Sequence, residues 1–426
     1  MDLIIPRRSS YCPNFATAPL PATPPTCRPW LHSRSCWAVV AMRSRNVPAL
    51  RLEGFDGAWK TTSIGAVSAL HNGRDYKHLG EGCIPVYGTG GYMVSVDQAL
   101  SHDEDAVGIG RKGTISKPYI LKAPFWTVDT LFYVVPNQET DLAFFYASVL
   151  QVDWMAKNTA TGLPSLTSQT INSADISIPH TLEEQQAIGA IFTNLDDAIN
   201  QHTKKHQALQ QAKTALMQRM FPQEGQTVPE LRLDGFDGEW KESSLNDHVE
   251  YFSGLTYSPG DVVKNGGTLV LRSSNVKDAT LAFDDCVYVR SGVVNVQNVK
   301  PNDIIMVVRN GSRALIGKHA LVRGELPPTV IGAFMTGIRS KQPHFMSALF
   351  DTELFESQVA KSMGATINQI TGGMFAKMHF LFPPTLEEQQ AIGAVFTRLD
   401  TLIATEAKYI ESLKQAKAAL LQRMFI

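Results

Sequence analysis

No run of about 18 consecutive apolar residues occurs, so the chain has no helix able to span a bilayer. Charge of one sign is also lacking. The chain has 39 Lys and Arg against 40 Asp and Glu, a formal net charge of -1, which excludes a globally basic protein but not one whose cations gather on one face. Cysteine is scarce: Cys12, Cys27 and Cys36 lie near the start, and Cys83 and Cys286 stand alone, with no C-x-x-C pair and no His at zinc spacing. A reducing compartment without a structural metal is the default expectation. G-x-S-x-G, H-E-x-x-H and an Asp/Asn-Pro-Pro-Tyr methyltransferase loop are all absent, so no catalytic constellation is visible.

What is present is 426 residues, 44% hydrophobic and 19% charged, the composition of a globular protein. At roughly 100–200 residues per domain, two to four domains are expected. Residues 1–41 differ from the rest: Pro19, Pro21, Pro24, Pro25 and Pro29 crowd together and Asp2 is the sole acid. Their composition superficially fits a transit peptide. The favoured expectation is an over-extended start, with Met42 standing just ahead of the first recurring segment.

Two segments recur. Residues 47–60, Val-Pro-Ala-Leu-Arg-Leu-Glu-Gly-Phe-Asp-Gly-Ala-Trp-Lys, return with few changes at 228–241. Residues 181–190, Thr-Leu-Glu-Glu-Gln-Gln-Ala-Ile-Gly-Ala, return letter for letter at 385–394, and each copy runs on without a gap to Gln-Arg-Met-Phe. The bodies between share no comparable similarity, so two copies kept their frames and diverged inside them.

The longer segment reads as helix. Thr181 with Glu184, and Thr385 with Glu388, spell capping boxes in which hydroxyl and carboxylate satisfy free N–H groups of the first turn. Apolar residues follow at a spacing of about 3.5, as Ile188, Ile191, Leu195, Leu209 and Leu216, then as Ile392, Val395, Leu399, Leu413 and Leu420. About 40 residues at 1.5 Å each make rods of roughly 60 Å. A lone rod with a narrow apolar stripe is unstable, so the two are expected to pair with each other and to leave a stripe for helices of another subunit. His202 and His206 interrupt the first seam and Glu406 the second; they are read as partly solvated positions rather than a metal site or switch, although His202 opposite Glu406 could set register. Each body then hangs on its own rod, which makes the pair a molecular ruler.

The bodies read as short strands joined by glycine turns. In the first, Tyr87, Thr89 and Tyr92 surround one such turn, and Arg111 and Lys112 follow Gly108-Ile109-Gly110 on another. In the second, Asn310-Gly311 is read as a hairpin turn flanked by Arg309 and Arg313, with Ser312 beside it and Lys318 beyond, while Arg272, Ser274 and Asn275 form a second set. Arg, Asn and Ser on turns suit bidentate contacts to guanine and adenine edges, and Lys suits phosphates. For each hairpin alone, a solvated surface turn is the simpler reading. The G-x-G-x-x-G of residues 108–113 opens no helix, residues 311–318 only imitate a phosphate loop, and Asp400, Glu406 and Lys408 lie on the rod as ordinary charged positions.

Ile178-Pro179 and Pro383-Pro384 leading into Thr-Leu-Glu-Glu-Gln-Gln-Ala-Ile, then Gln-Arg-Met-Phe and Val-Pro-Glu-Leu-Arg-Leu-Asp-Gly-Phe-Asp-Gly-Glu-Trp, resemble the specificity (S) subunit of type I restriction-modification systems over residues 46–426. The resemblance includes the Tyr87-Gly88-Thr89-Gly90-Gly91 and 110–115 segments. It implies an α+β fold: two globular β-rich target recognition domains (42–178 and 223–383) joined by two long antiparallel coiled-coil helices (179–222 and 384–426) as a pseudo-two-fold tandem repeat. It also implies a non-catalytic subunit whose domains each read one half of a bipartite double-stranded DNA site. Two modification (M) subunits binding S-adenosylmethionine would methylate adenine N6, and two restriction (R) subunits using ATP and Mg would translocate and cleave. No cofactor or metal is expected in this chain, and the location expected is cytoplasmic, on the bacterial nucleoid, with no membrane. A scaffold binding protein or peptide is the alternative from another class, and a self-sufficient methyltransferase or nuclease is a third.

Overall fold

A computed structural model describes residues 46–264, 266–363 and 368–426; the reading of residues 1–41 as an over-extended start lies outside the described residues. In the first body, strand Lys60–Ser63 pairs antiparallel with Asp175–Ile178 and closes the base. Above it lies an antiparallel sheet in the spatial order Ser68–Asn72, Leu131–Pro136, Ala106–Gly110, Tyr119–Leu121. A second sheet sets Glu81–Gly88 between Gly91–Val96, antiparallel, and Trp126–Thr127, parallel.

The second body repeats this plan with unrelated residues, adding the strand Val262–Val263 to its second sheet and a separate pair, Val276–Lys277 with Thr280–Leu281. Lys241–Ser244 pairs with His379–Phe382 at its base. Its main sheet runs Val249–Ser253, Met335–Ser340, Ile304–Val307, His319–Leu321, and its other sheet sets Thr268–Leu271 parallel to Thr329–Ile331. The duplicated unit therefore included the bodies. Only their buried pattern had to persist: Ala106–Gly110 and Ile304–Val307 occupy the same inner position and every residue of both is buried. Between these sheets and the rods lie short helices, Leu142–Val149 in the first body and Pro343–Phe350 in the second.

One turn departs from its sequence reading. Asn310-Gly311 is not a two-residue hairpin, because the strands Ile304–Val307 and His319–Leu321 are joined by a long loop containing a short helical turn, Arg313–Leu315. Gly311 does not adopt the positive φ that such a hairpin turn requires. Arg309 instead pairs with Gln369, which draws the loop away from its own hairpin partner.

Both long segments are helices of 39 residues, Leu182–Met220 and Leu386–Met424. They run antiparallel, as contacts of Asp196 with Lys417, His202 with Glu406 and Lys213 with Asp400 require. Of the seam residues, Ile188 and Ile392 are buried, while Ile191, Leu195, Leu209, Leu216, Val395, Leu399, Leu413 and Leu420 are half-buried. The seam reading missed Phe192, Met217 and Phe396, all buried. Near its ends each helix packs against a body as well as against the other helix, so the apolar stripe there is wider than a coiled-coil seam.

Candidate nucleic-acid interface

Two equivalent joints fix the bodies to the helices, and both recurring motifs are needed to build each one. The hydroxyl of Thr181 accepts the N–H of Glu184 at 3.3 Å, and that of Thr385 accepts the N–H of Glu388 at 3.2 Å. The expected return of the carboxylate to the cap does not occur, because both carboxylates are taken by the shorter motif. Arg51 donates to the two oxygens of Glu184 at 2.8 and 2.7 Å, and Trp59 Nε1 adds a bond at 3.2 Å. Arg232 meets Glu388 at 2.8 Å twice, with Trp240 Nε1 at 3.3 Å. Glu184 and Glu388 are only 2% and 1% exposed, so a forked, charge-assisted pair is what makes their burial tolerable.

Each joint also receives the far end of the other helix. Phe425 sits among Trp59, Phe144 and Phe192 with ring centroids 5.9, 5.5 and 5.7 Å away. Phe221 sits among Trp240, Phe345 and Phe396 at 6.0, 5.7 and 6.0 Å. Leu50 N–H donates to the carbonyl of Arg423, and Leu231 N–H to that of Arg219, both at 2.8 Å. Gly189 and Gly393 allow the close approach of the short helices, since a Cβ there would stand 2.9 Å from Phe144 N and 2.7 Å from Phe345 N.

In the first body the structure brings the two sequence-selected segments side by side. A Cβ on Gly113 would lie 3.9 Å from Thr89 Oγ1, so the turn after Gly88 abuts the loop holding Arg111 and Lys112. Tyr119 OH ties the turn by donating to Gly88 O at 2.5 Å, and burial pushes its phenol pKa up, which keeps it a donor. Tyr92 is 62% exposed and meets Tyr87 edge-on at 6.5 Å. Arg111 lies over the Phe132 ring at 5.7 Å, while Lys112 is exposed and its backbone bridges to Ser165.

In the second body the loop in the same topological place carries Arg309, whose backbone bridges to Gln369 as that of Lys112 does to Ser165. Arg309 lies over the ring of Phe334 at 5.2 Å, and both are exposed. Asn310 Nδ2 donates to Ser273 Oγ at 3.0 Å, which joins the two sequence-selected segments, and exposed Ser312 and Ser274 stand beside these partners.

Four selected residues do other work. Asn275 is fully buried: its Oδ1 accepts Arg272 N at 2.9 Å and its Nδ2 donates to the carbonyls of Ala282 and Asp285, so no base edge reaches it. Arg272 is held by Asp285 at 2.7 Å. Arg313 donates to the carbonyls of Ala360 and Met363 at the end of helix Glu353–Ser362, and it lines, with exposed Lys318, a separate cleft bordered by Asp278, Asp351 and Glu356. Phe334 went unselected, because exposure of an aromatic ahead of a strand leaves no mark in sequence. The joint residues did leave one: both motifs recur almost unchanged while everything between them differs.

Among the described residues, no three His, Cys, Asp or Glu side chains gather as metal ligands, and no helix is long and apolar enough to cross a membrane.

A family model described as the type I restriction modification DNA specificity domain matches this chain twice, over residues 57–211 and 237–415. The type I restriction enzyme MjaVIII specificity subunit of Methanocaldococcus jannaschii is 23% identical over 296 residues, 66% of this chain and 68% of that protein. The EcoKI specificity subunit of Escherichia coli is 26% identical over 174 residues, covering 39% of this chain and 36% of that protein. The crystal structure of the type I restriction-modification S subunit from M. genitalium shares the fold with a TM-score of 0.67 at 14% identity, over 89% of this chain and 99% of that one.

Proposed function

The chain belongs to the type I restriction-modification DNA specificity family, whose model covers both of its repeats, and from that premise we propose how it reads DNA. It is the non-catalytic specificity subunit of such a system. The observation that carries the mechanism is the pair of like joints, which set two bodies of one topology at opposite ends of an antiparallel helix pair. Each body is then a target recognition domain reading one half of a bipartite double-stranded site, and the 39-residue helices fix the gap between the halves.

The proposed readers are Tyr87, Thr89, Tyr92, Arg111 and Lys112 in the first domain, and Arg309, Asn310, Ser312, Ser274 and Phe334 in the second. Arg309 is restrained by the Phe334 ring, which lowers the entropy it loses on gripping a guanine edge. Phosphate contacts across the whole complex supply most of the affinity and its salt dependence. Methylation of adenine N6 falls to two partner modification subunits carrying S-adenosylmethionine, and cleavage to two ATP- and Mg-dependent restriction subunits. Genome-wide detection of N6-methyladenine, in a bacterial host carrying the modification subunit with and without this chain, tests the reading. A new bipartite motif that appears only with the chain is expected; a stable, cofactor-binding complex that yields no motif overturns it.

A further inference from the structure

The polar contacts between the long helices fall at three levels that are not equivalent. Asp196 with Lys417 (2.6 Å) and Asp400 with Lys213 (2.8 Å) are one contact made twice, since Asp196 and Asp400, and Lys213 and Lys417, hold the same place in the two repeats. Between them the pseudo-two-fold axis passes through His202 and Glu406, which also hold one place in the repeat, so each faces its own counterpart. There the repeats have diverged into complements. His202 Nδ1 lies 2.7 Å from Glu406 Oε2, Lys205 bridges the same carboxylate, and Tyr409, the counterpart of Lys205, meets the His202 ring edge-on at 4.5 Å.

Elsewhere along the pair the two copies are largely interchangeable. Both helices end in Gln-Arg-Met-Phe, both sockets are a Trp and two Phe, and both outer bridges join Lys to Asp. Two copies of the first helix would therefore form both sockets and both outer bridges, and so would two copies of the second. At the centre they would differ. Two first helices would oppose His202 to His202 and leave both Lys205 side chains without their acid. Two second helices would oppose Glu406 to Glu406 at a position only 7% exposed, where like charges cannot both stay ionised cheaply.

We propose that the His202–Lys205–Glu406 cluster makes helix pairing heterotypic: it selects the other repeat as partner and rejects the matching helix of a second copy of this chain. The device combines attraction in the mixed pair with loss of that attraction between two first helices and like-charge repulsion between two second helices, at the centre of a pair whose ends are built alike.

The test uses the full chain carrying a protease site in the exposed segment 223–226. The folded protein is cut there, unfolded and refolded, and its half-chain pairs are weighed by native mass spectrometry without DNA or partner subunits, so the result stands apart from the DNA-reading proposal. Wild type is expected to favour the mixed pair over either like pair by about tenfold or more. Glu406→His, and separately the near-isosteric Glu406→Gln, should let like pairs of the second half form, and His202→Glu with Glu406→His should restore the mixed pair. All three pairings in statistical proportion from wild type would overturn the proposal. So would an exclusively mixed pair from both Glu406 variants.

Discussion

Arg51 and Arg232 each close on a carboxylate that water scarcely reaches, and removing one partner strands the other's charge. Arg232→Ala is expected to cost about 3–5 kcal/mol, read as a lowered denaturation midpoint at unchanged slope. Arg232→Met with Glu388→Leu should recover much of that loss, because it removes both charges together. The base readers call for a different measurement. Arg309→Ala should relax only the second half-site, at about 1–3 kcal/mol of discrimination per base pair, and leave the first half-site's letters intact in the methylation motif. Arg313→Ala should instead lower stability without changing the motif, since its guanidinium closes a helix end. Sequence did not separate these two arginines. Both flank Asn310-Gly311, and a tight hairpin there would display them alike, but the pairing of Arg309 with Gln369 prevents that hairpin. Asn275 misled for a related reason: residue type announces hydrogen-bonding capacity, and burial decides whether the backbone has already used it.

The long helices were the most legible elements, because a capping threonine and a period near 3.5 are local signals that tertiary contacts reinforce. The strands of the bodies were legible only as a class. Their parallel pairings, such as Val86 with Trp126 and Val270 with Val330, join residues far apart along the chain and leave no local trace. The carboxylates of Glu184 and Glu388 had a local role written into the capping box, yet a nonlocal Arg outcompeted it, since a forked ion pair is stronger than one bond to a backbone N–H. Inserting one heptad into each long helix, at matching places between the joints, should preserve both sockets while moving the bodies apart by about 10 Å. The motif's two halves should keep their letters and the spacer should lengthen; an unchanged spacer would refute the ruler.

At the scale of the whole molecule, the second body carries a response to acid. His319, His248 and His344 all lie in it, and burial pushes the pKa of each below its ordinary value. The folded second body thus binds fewer protons than its unfolded chain, so its stability is fully present above about pH 6.5 and declines as pH falls below that value. Hydrogen exchange compared at about pH 7.5 and 5.5, after correction for intrinsic rates, should show these three histidines' surroundings losing protection. The tandem duplication itself was plain in the sequence, because frames repeated letter for letter admit no other origin. That the bodies share a topology was not, because burial patterns survive replacement of nearly every residue that makes them.

The sockets reverse an ordinary property of helices. A long helix usually frays from its ends, where first- and last-turn groups lack partners and water competes for them. Here Phe221 and Phe425 are clasped among aromatic rings and Ile188 and Ile392 anchor the opposite ends, while the central turns of the first helix bury no side chain and those of the second bury only Glu406 and Ile410. The amides near residues 200–210 and 404–414 should therefore exchange before those near the termini, so that each helix opens from the middle like a rope held at both ends.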